Sequence, residues 1–321
     1  MQGTVDGFSY GVVTPVAAYL MACLGGALGL RCIVRTLFNN KQSWKPGWLG
    51  LGAVSIGCGI WTMHFIAMIG FQVEETRLSY DVGLTVLSLL VAIAVVGIGV
   101  FIVGYGGASG GTLSIAGIVT GLGVAAMHYL GMAAIQMDGS IHYALGTVAL
   151  SIVIAVVAAT AALWAAVSIH GFLTSLGASL VMGVAVSGMH YTGMAAVSVH
   201  LHDTTGGARG GDSPLSLLLP MLLGPVIFLV LAGAIVMFDP LLVTGDGDEG
   251  RAASQRRAAS ADADADGSDG EASAGRGGSL FEGFEGVEGR QGARGSDVPP
   301  GSAGRPRGQY EYEASKSAYE W

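Results

Sequence analysis

Seven stretches of this chain run for more than 20 residues with almost no charge, at roughly 12–34, 48–70, 82–104, 113–135, 144–168, 173–198 and 215–238. A helix needs about 20 predominantly apolar residues to cross the hydrocarbon of a bilayer, so each stretch predicts one transmembrane helix. The runs are continuously apolar and several times longer than a strand, so no sheet is expected. Short connections favour antiparallel neighbours in chain order. The expected fold is all-α, a polytopic membrane bundle of seven transmembrane helices.

Charge placement supports a bilayer as solvent. Residues 241–321 hold 15 of the 23 acids and 9 of the 15 bases. The first 240 residues keep 8 acids and 6 bases, too few to clothe a soluble globule of that size. The segment from 241 onward is read as a disordered, acidic Gly/Ala/Asp-rich tail, because runs such as Ala-Asp-Ala-Asp-Ala-Asp cannot bury enough surface to fold. Its acidity disfavours nucleic acid as a partner. No catalytic domain is visible in it, so the chain reads as a stand-alone membrane domain (1–240) with a tail (241–321) and not as an enzyme. The N-terminus lacks the basic region of a cleavable signal peptide, so the first apolar segment is expected to persist as a helix.

Orientation follows from the loops. Arg31, Arg35, Lys41 and Lys45 surround the first connection, which contains no acid and therefore reads as cytoplasmic. The next connection carries Glu74, Glu75, Arg77 and Asp81. With seven spans, the N-terminus is then outside and the C-terminus cytoplasmic, in a multi-pass protein of the cell membrane.

Three segments align without gaps around a histidine. Residues 57–70 read GCGIWTMHFIAMIG, 121–134 read GLGVAAMHYLGMAA, and 183–196 read GVAVSGMHYTGMAA. The histidines are His64, His128 and His190. Repetition at a period of about two helices predicts three helical hairpins plus a seventh helix. Each histidine shares a helix face with the methionine four residues on: Met68, Met132 and Met194. Met63, Met127 and Met189 precede the histidines directly. If the repeats surround a common axis, three imidazoles and up to six thioethers converge near the outer surface. A polar side chain within a span is costly and marks a functional site by default; the alternative is a structural hydrogen bond between helices.

Thioethers are soft, neutral ligands that favour Cu(I), and imidazole suits copper in either oxidation state. Zinc and calcium would call for thiolates or carboxylates, and no Asp or Glu falls within the spans. His/Met pairs also ligate haem iron, so a haem between helices stays open at this point. Cys23, Cys32 and Cys58 lie in or beside apolar segments and read as inert small hydrophobes. His142, His200 and His202 fall in external loops, where they either supply metal or are simply solvated, and His170 falls on the cytoplasmic side.

The motifs Met127-His128-Tyr129-Leu130 and Met189-His190-Tyr191-Thr192 resemble those of the MHYT domain of bacterial integral-membrane sensors, over roughly residues 8–240. The resemblance implies copper bound through Met63, His64, Met68, Met127, His128, Met132, Met189, His190 and Met194. It also implies sensing of oxygen, carbon monoxide or nitric oxide, with a report to a cytoplasmic signalling partner. The first copy departs from the pattern, with Phe65 in place of tyrosine and Ala67 in place of glycine. Many members of that family are fused to cyclic-di-GMP turnover domains, and none is expected within residues 241–321.

Rival readings differ in what they require. A retinal receptor needs an intramembrane lysine, whereas Lys41, Lys45 and Lys316 lie in a loop and the tail. A membrane zinc hydrolase needs an acid or base beside the metal-bound water, and the spans offer no carboxylate. A copper transporter would string ligands at several depths, whereas the three clusters share one. Copper handling and a haem redox role stay as alternatives to sensing.

Overall fold

The computed structural model describes residues 3–38, 45–168, 171–201 and 214–238. The expected tail, together with His170 and His202, lies outside the described residues. Seven helices are present among them: α1 (Val13–Phe38), α2 (Lys45–Ile69), α3 (Val82–Gly106), α4 (Gly110–Ala133), α5 (Leu145–Ser168), α6 (Phe172–Met194) and α7 (Pro214–Met237). All seven are long and apolar enough to span a membrane. Asp81 starts α3 by accepting from the Leu84 amide at 2.8 Å, and Ser109 starts α4 through the Thr112 amide at 3.2 Å. Each cap satisfies one of the amides that a helix start leaves without an intrahelical partner.

Helices α1 to α6 form a closed ring in chain order, with α6 packed back against α1, while α7 lies against α1 and α2. The ring repeats its own contacts. Gly57 on α2 faces Ile93 on α3, Gly121 on α4 faces Val156 on α5, and Gly183 on α6 faces Cys23 on α1. The first glycine of each sequence repeat thus seats the next hairpin, and the third instance closes the ring. Glycine contacts of this kind let helices approach in lipid, where no hydrophobic drive pulls them together. The three cysteines are buried and form no disulfide, as expected of packing residues. Large apolar side chains such as Leu90, Val157, Val184 and Val230 point outward, which suits contact with acyl chains.

Two expectations need correction. Three short antiparallel ribbons are present: β1 (Val5–Asp6) with β2 (Gln72–Val73), β3 (Ser79–Tyr80) with β4 (Ile135–Gln136), and β5 (Gly139–Tyr143) with β6 (Val197–Leu201). The sixth span also ends at Met194, not at 198, because Val197 onward forms β6. Both errors have one cause. These strands pair segments distant in sequence, so their stability lies in a cross-strand register that apolar run length does not report. All of them lie where α2, α4 and α6 finish, and they cap that end of the ring.

A candidate metal centre at the bundle axis

His64 lies 19 residues after Lys45 on α2, which places it about 28 Å along the helix from the basic end. His128 and His190 occupy the matching positions on α4 and α6. All three are buried, at 0–1% exposure. Their rings form a three-bladed propeller, with centroids 5.0–5.1 Å apart and planes at 79–89° to one another. The three Nδ1 atoms point at the axis and stand 3.0 Å (His64 to His190), 3.2 Å (His64 to His128) and 3.3 Å (His128 to His190) apart.

This triangle cannot be satisfied by hydrogen bonds alone. A ring nitrogen of neutral imidazole is either an N–H donor or a lone-pair acceptor, never both. With three nitrogens in mutual contact, at least one edge must join two donors or two acceptors. The outer nitrogens add to the deficit, since the buried Nε2 atoms of His64 and His128 have no hydrogen-bond partner. Buried polar groups are ordinarily paired, and each one left unpaired costs roughly 1–3 kcal/mol. A cation on the axis removes the conflict by accepting three lone pairs. Three atoms at these separations surround a point about 1.8 Å from each, close to the ~2.0 Å of an imidazole–metal bond. The donor set therefore fits a single small cation.

The packing behind the rings explains how they are held. A Cβ on Gly131 would strike Nε2 of His64, and a Cβ on Gly193 would strike Nε2 of His128. Each of these two histidines thus leans on the glycine three residues after the next histidine in the cycle. The third ring differs. Ala67 replaces glycine in the first repeat, and His190 lines a cavity of about 240 Å³ with Ala67, Phe8 and Tyr191. The N-terminal segment covers this cavity. Phe8 stacks on Tyr191 at 5.7 Å, Ser9 donates from its amide and hydroxyl to the Gly70 carbonyl, and the Glu75 carboxylate accepts from the Thr4 amide at 2.9 Å. That hydrogen bond from Thr4 holds the Glu75 carboxyl below its ordinary range.

The sequence motif divides into distinct roles. The structure brings the three imidazoles together. Met63, Met68, Met127, Met132 and Met189 are wholly buried in the same core, and Met194 is half-buried on the wall of the His190 cavity. Met189 also borders a separate apolar cavity lined by Ile56, Val96, Val124 and Ala159. The motif tyrosine does not reach the axis, since the Tyr129 hydroxyl bonds Ser151 Oγ on α5 at 2.7 Å. Phe65 instead packs on Trp61, whose indole donates to Ser88 Oγ at 2.9 Å. Sequence reading passed over Gly131 and Gly193 as site residues. Their signal was present, as a glycine three residues after the histidine in two of the three copies. Phe8 left no such trace.

Comparison with known proteins agrees with this architecture. The profile of the MHYT family, described as a bacterial signalling protein N-terminal repeat, matches residues 57–116, 121–178 and 183–241. The bifunctional diguanylate cyclase/cyclic di-GMP phosphodiesterase MucR of Pseudomonas aeruginosa is 41% identical over 212 residues, 64% of this chain and 30% of MucR. The cyclic di-GMP phosphodiesterase NbdA of the same organism is 35% identical over 61% of this chain and 26% of NbdA. The signaling protein YkoW of Bacillus subtilis is 28% identical over 60% of this chain and 24% of YkoW. The chain thus spans less than a third of the length of these relatives. No solved structure matches it significantly. Each profile match opens on the first glycine of a sequence repeat, within a helix that carries one axial histidine, and together they cover more than half of the residues: the chain belongs to the MHYT family of bacterial signalling proteins.

Proposed function

We propose that this protein is a non-catalytic membrane sensor whose axial histidines hold one copper ion and respond to a diatomic gas or to redox state. The observation that carries the reading is the Nδ1 triangle, which no arrangement of imidazole protons can satisfy. His64, His128 and His190 supply the nitrogens. Met63, Met68, Met127, Met132, Met189 and Met194 lie in or against the same core, and their thioethers would offer soft, neutral donors. Among the described residues no carboxylate lies within the spans to balance a buried charge. The cost of burying an ion rises with the square of its charge, so a monovalent cation suits this environment better than a divalent one. Cu(I) meets both conditions. Haem fits poorly, because nitrogens 3.0–3.3 Å apart leave no room for a porphyrin between axial ligands that would stand about 4 Å apart.

Bound copper would supply a centre whose coordination changes on ligand binding or oxidation. The chain's part is to convert that change into helix movement. Each imidazole belongs to a different repeat, so any change in their spacing acts on α2, α4 and α6 together. The response is limited by the ligand's differential affinity for two helix arrangements. Arg31, Arg35 and Lys45 lie at the end remote from the histidines, and the excess of basic residues there orients that end to the cytoplasm and the metal centre outward. A cytoplasmic partner then reads the basic end.

Purified protein loaded with Cu(I) against a competing chelator is expected to retain one copper per chain, and H64A/H128A/H190A none. A wild type that takes up no copper, or a triple variant that takes up as much, would overturn the assignment; a Soret band would redirect it to haem. The cavity beside His190 is the access route, since Gly131 and Gly193 close off the other two rings. Phe8→Ala should therefore speed copper loading about tenfold in stopped-flow chelator exchange, with the final stoichiometry unchanged.

A further inference from the structure

The ribbon β5–β6 carries a second pair of histidines, and its geometry is that of a surface chelate. Alternation along each strand sends Ile141, Tyr143, Val197 and Val199 inward and Ser140, His142, Ser198 and His200 to the solvent face. His142 and His200 are the most exposed residues of the ribbon. In the register Ser140 opposes His200 and His142 opposes Ser198, so the two imidazoles are diagonal neighbours. Diagonal Cβ atoms stand roughly 7–8 Å apart, within reach of ring side chains. Here the rings meet edge to face, with centroids 4.7 Å apart and planes at 79°. Ser140 Oγ stands 3.2 Å from Nε2 of His142, which adds an oxygen donor beside the pair.

The platform is held firmly. Five consecutive cross-strand pairs set the register, the Ala144 amide bonds the Ala196 carbonyl, and the Gly3 amide bonds Val199 on the free edge of β6. A pre-set pair of ligands loses little freedom on binding an ion, which is what separates a chelate from two loose histidines.

We infer that His142 and His200 form a solvent-facing site for a divalent transition-metal ion, with Cu(II) its strongest ligand. Two imidazoles with hydroxyl and water oxygens make a mixed N,O set suited to tetragonal Cu(II), which also leads the affinity order of the divalent ions. The pair contains no thioether, in contrast to the axial centre, so the two sites select different oxidation states of one metal. Its existence does not depend on the axial site binding anything.

The test is Cu(II) titration of tag-free, full-length protein in detergent, followed by electron paramagnetic resonance. Wild type is expected to show a tetragonal signal split by two nitrogens, and H64A/H128A/H190A to keep it. H142A and H200A should each weaken binding at least tenfold, and H142A/H200A should lose the signal with an unchanged melting temperature. A double variant that binds Cu(II) like wild type would overturn the inference. So would a triple axial variant that loses the signal while the double variant retains it.

Discussion

Gly131→Val is expected to empty the proposed axial copper site while leaving all three histidines in the sequence. Nε2 of His64 occupies the space that the first carbon of any side chain at position 131 would take, and Gly193 stands in the same relation to His128. The ring has little room to retreat. Phe65 lies edge-on to it at 4.7 Å, and the other two imidazoles lie at 5.0 Å. Moving one ring by an ångström breaks the triangle, because a metal centre tolerates ligand displacements of only a few tenths of an ångström. Gly131→Ala and Gly193→Ala should each lower copper affinity by about 100-fold in chelator competition. Gly188→Ala is the control, since nothing lies within 4 Å of its Cβ position. Equal affinity in Gly131→Val and wild type would show that the rings are free to rearrange and that the glycines serve only helix packing.

The second large effect concerns stability. Gly25→Val on α1 should destabilise the fold by about 3 kcal/mol, the upper part of the range for overpacked cores. A Cβ there would stand 2.6 Å from the Ser55 carbonyl oxygen and 2.7 Å from the Gly59 Cα, both backbone atoms of α2. Backbone cannot swing aside as a side-chain tip can, so the two helices must separate along their whole contact. Because α1 also closes the ring against α6, the damage should reach the axial centre. Thermal unfolding in detergent with and without copper separates the two consequences: a lowered melting temperature reports the packing, and a lost copper-dependent rise reports the site. Gly47→Val, at the start of α2 with nothing within 4 Å, should leave the melting temperature within about a degree of wild type.

The number and approximate positions of the helices were legible in sequence, as were the three repeats and the identity of the residues at the axis. Apolar run length decides whether a segment spans a bilayer, and this holds whatever the segment later packs against. The methionines show where that reading stops. A spacing of four residues places Met68 on the face of His64, and equally Met132 and Met194 on those of His128 and His190. Yet Met194 ends on the wall of an outer cavity, while Met132 is wholly buried. Helical spacing fixes the face a side chain shares but not which neighbours cover that face, and the packing around Met194 differs from that around Met132.

What the sequence determined by itself is a membrane bundle with three equivalent histidines at one depth, because hydropathy and repeat spacing are local properties. That their Nδ1 atoms meet within 3.3 Å was decided by tertiary structure. Convergence depends on the rotation of α2, α4 and α6 about their own axes. Glycine contacts between hairpins set those rotations, and the last of them, between Gly183 and Cys23, joins residues 160 positions apart. The strands β5 and β6 were hidden for the same reason, since each finds its hydrogen-bond partners only once the ring has brought two distant loops together.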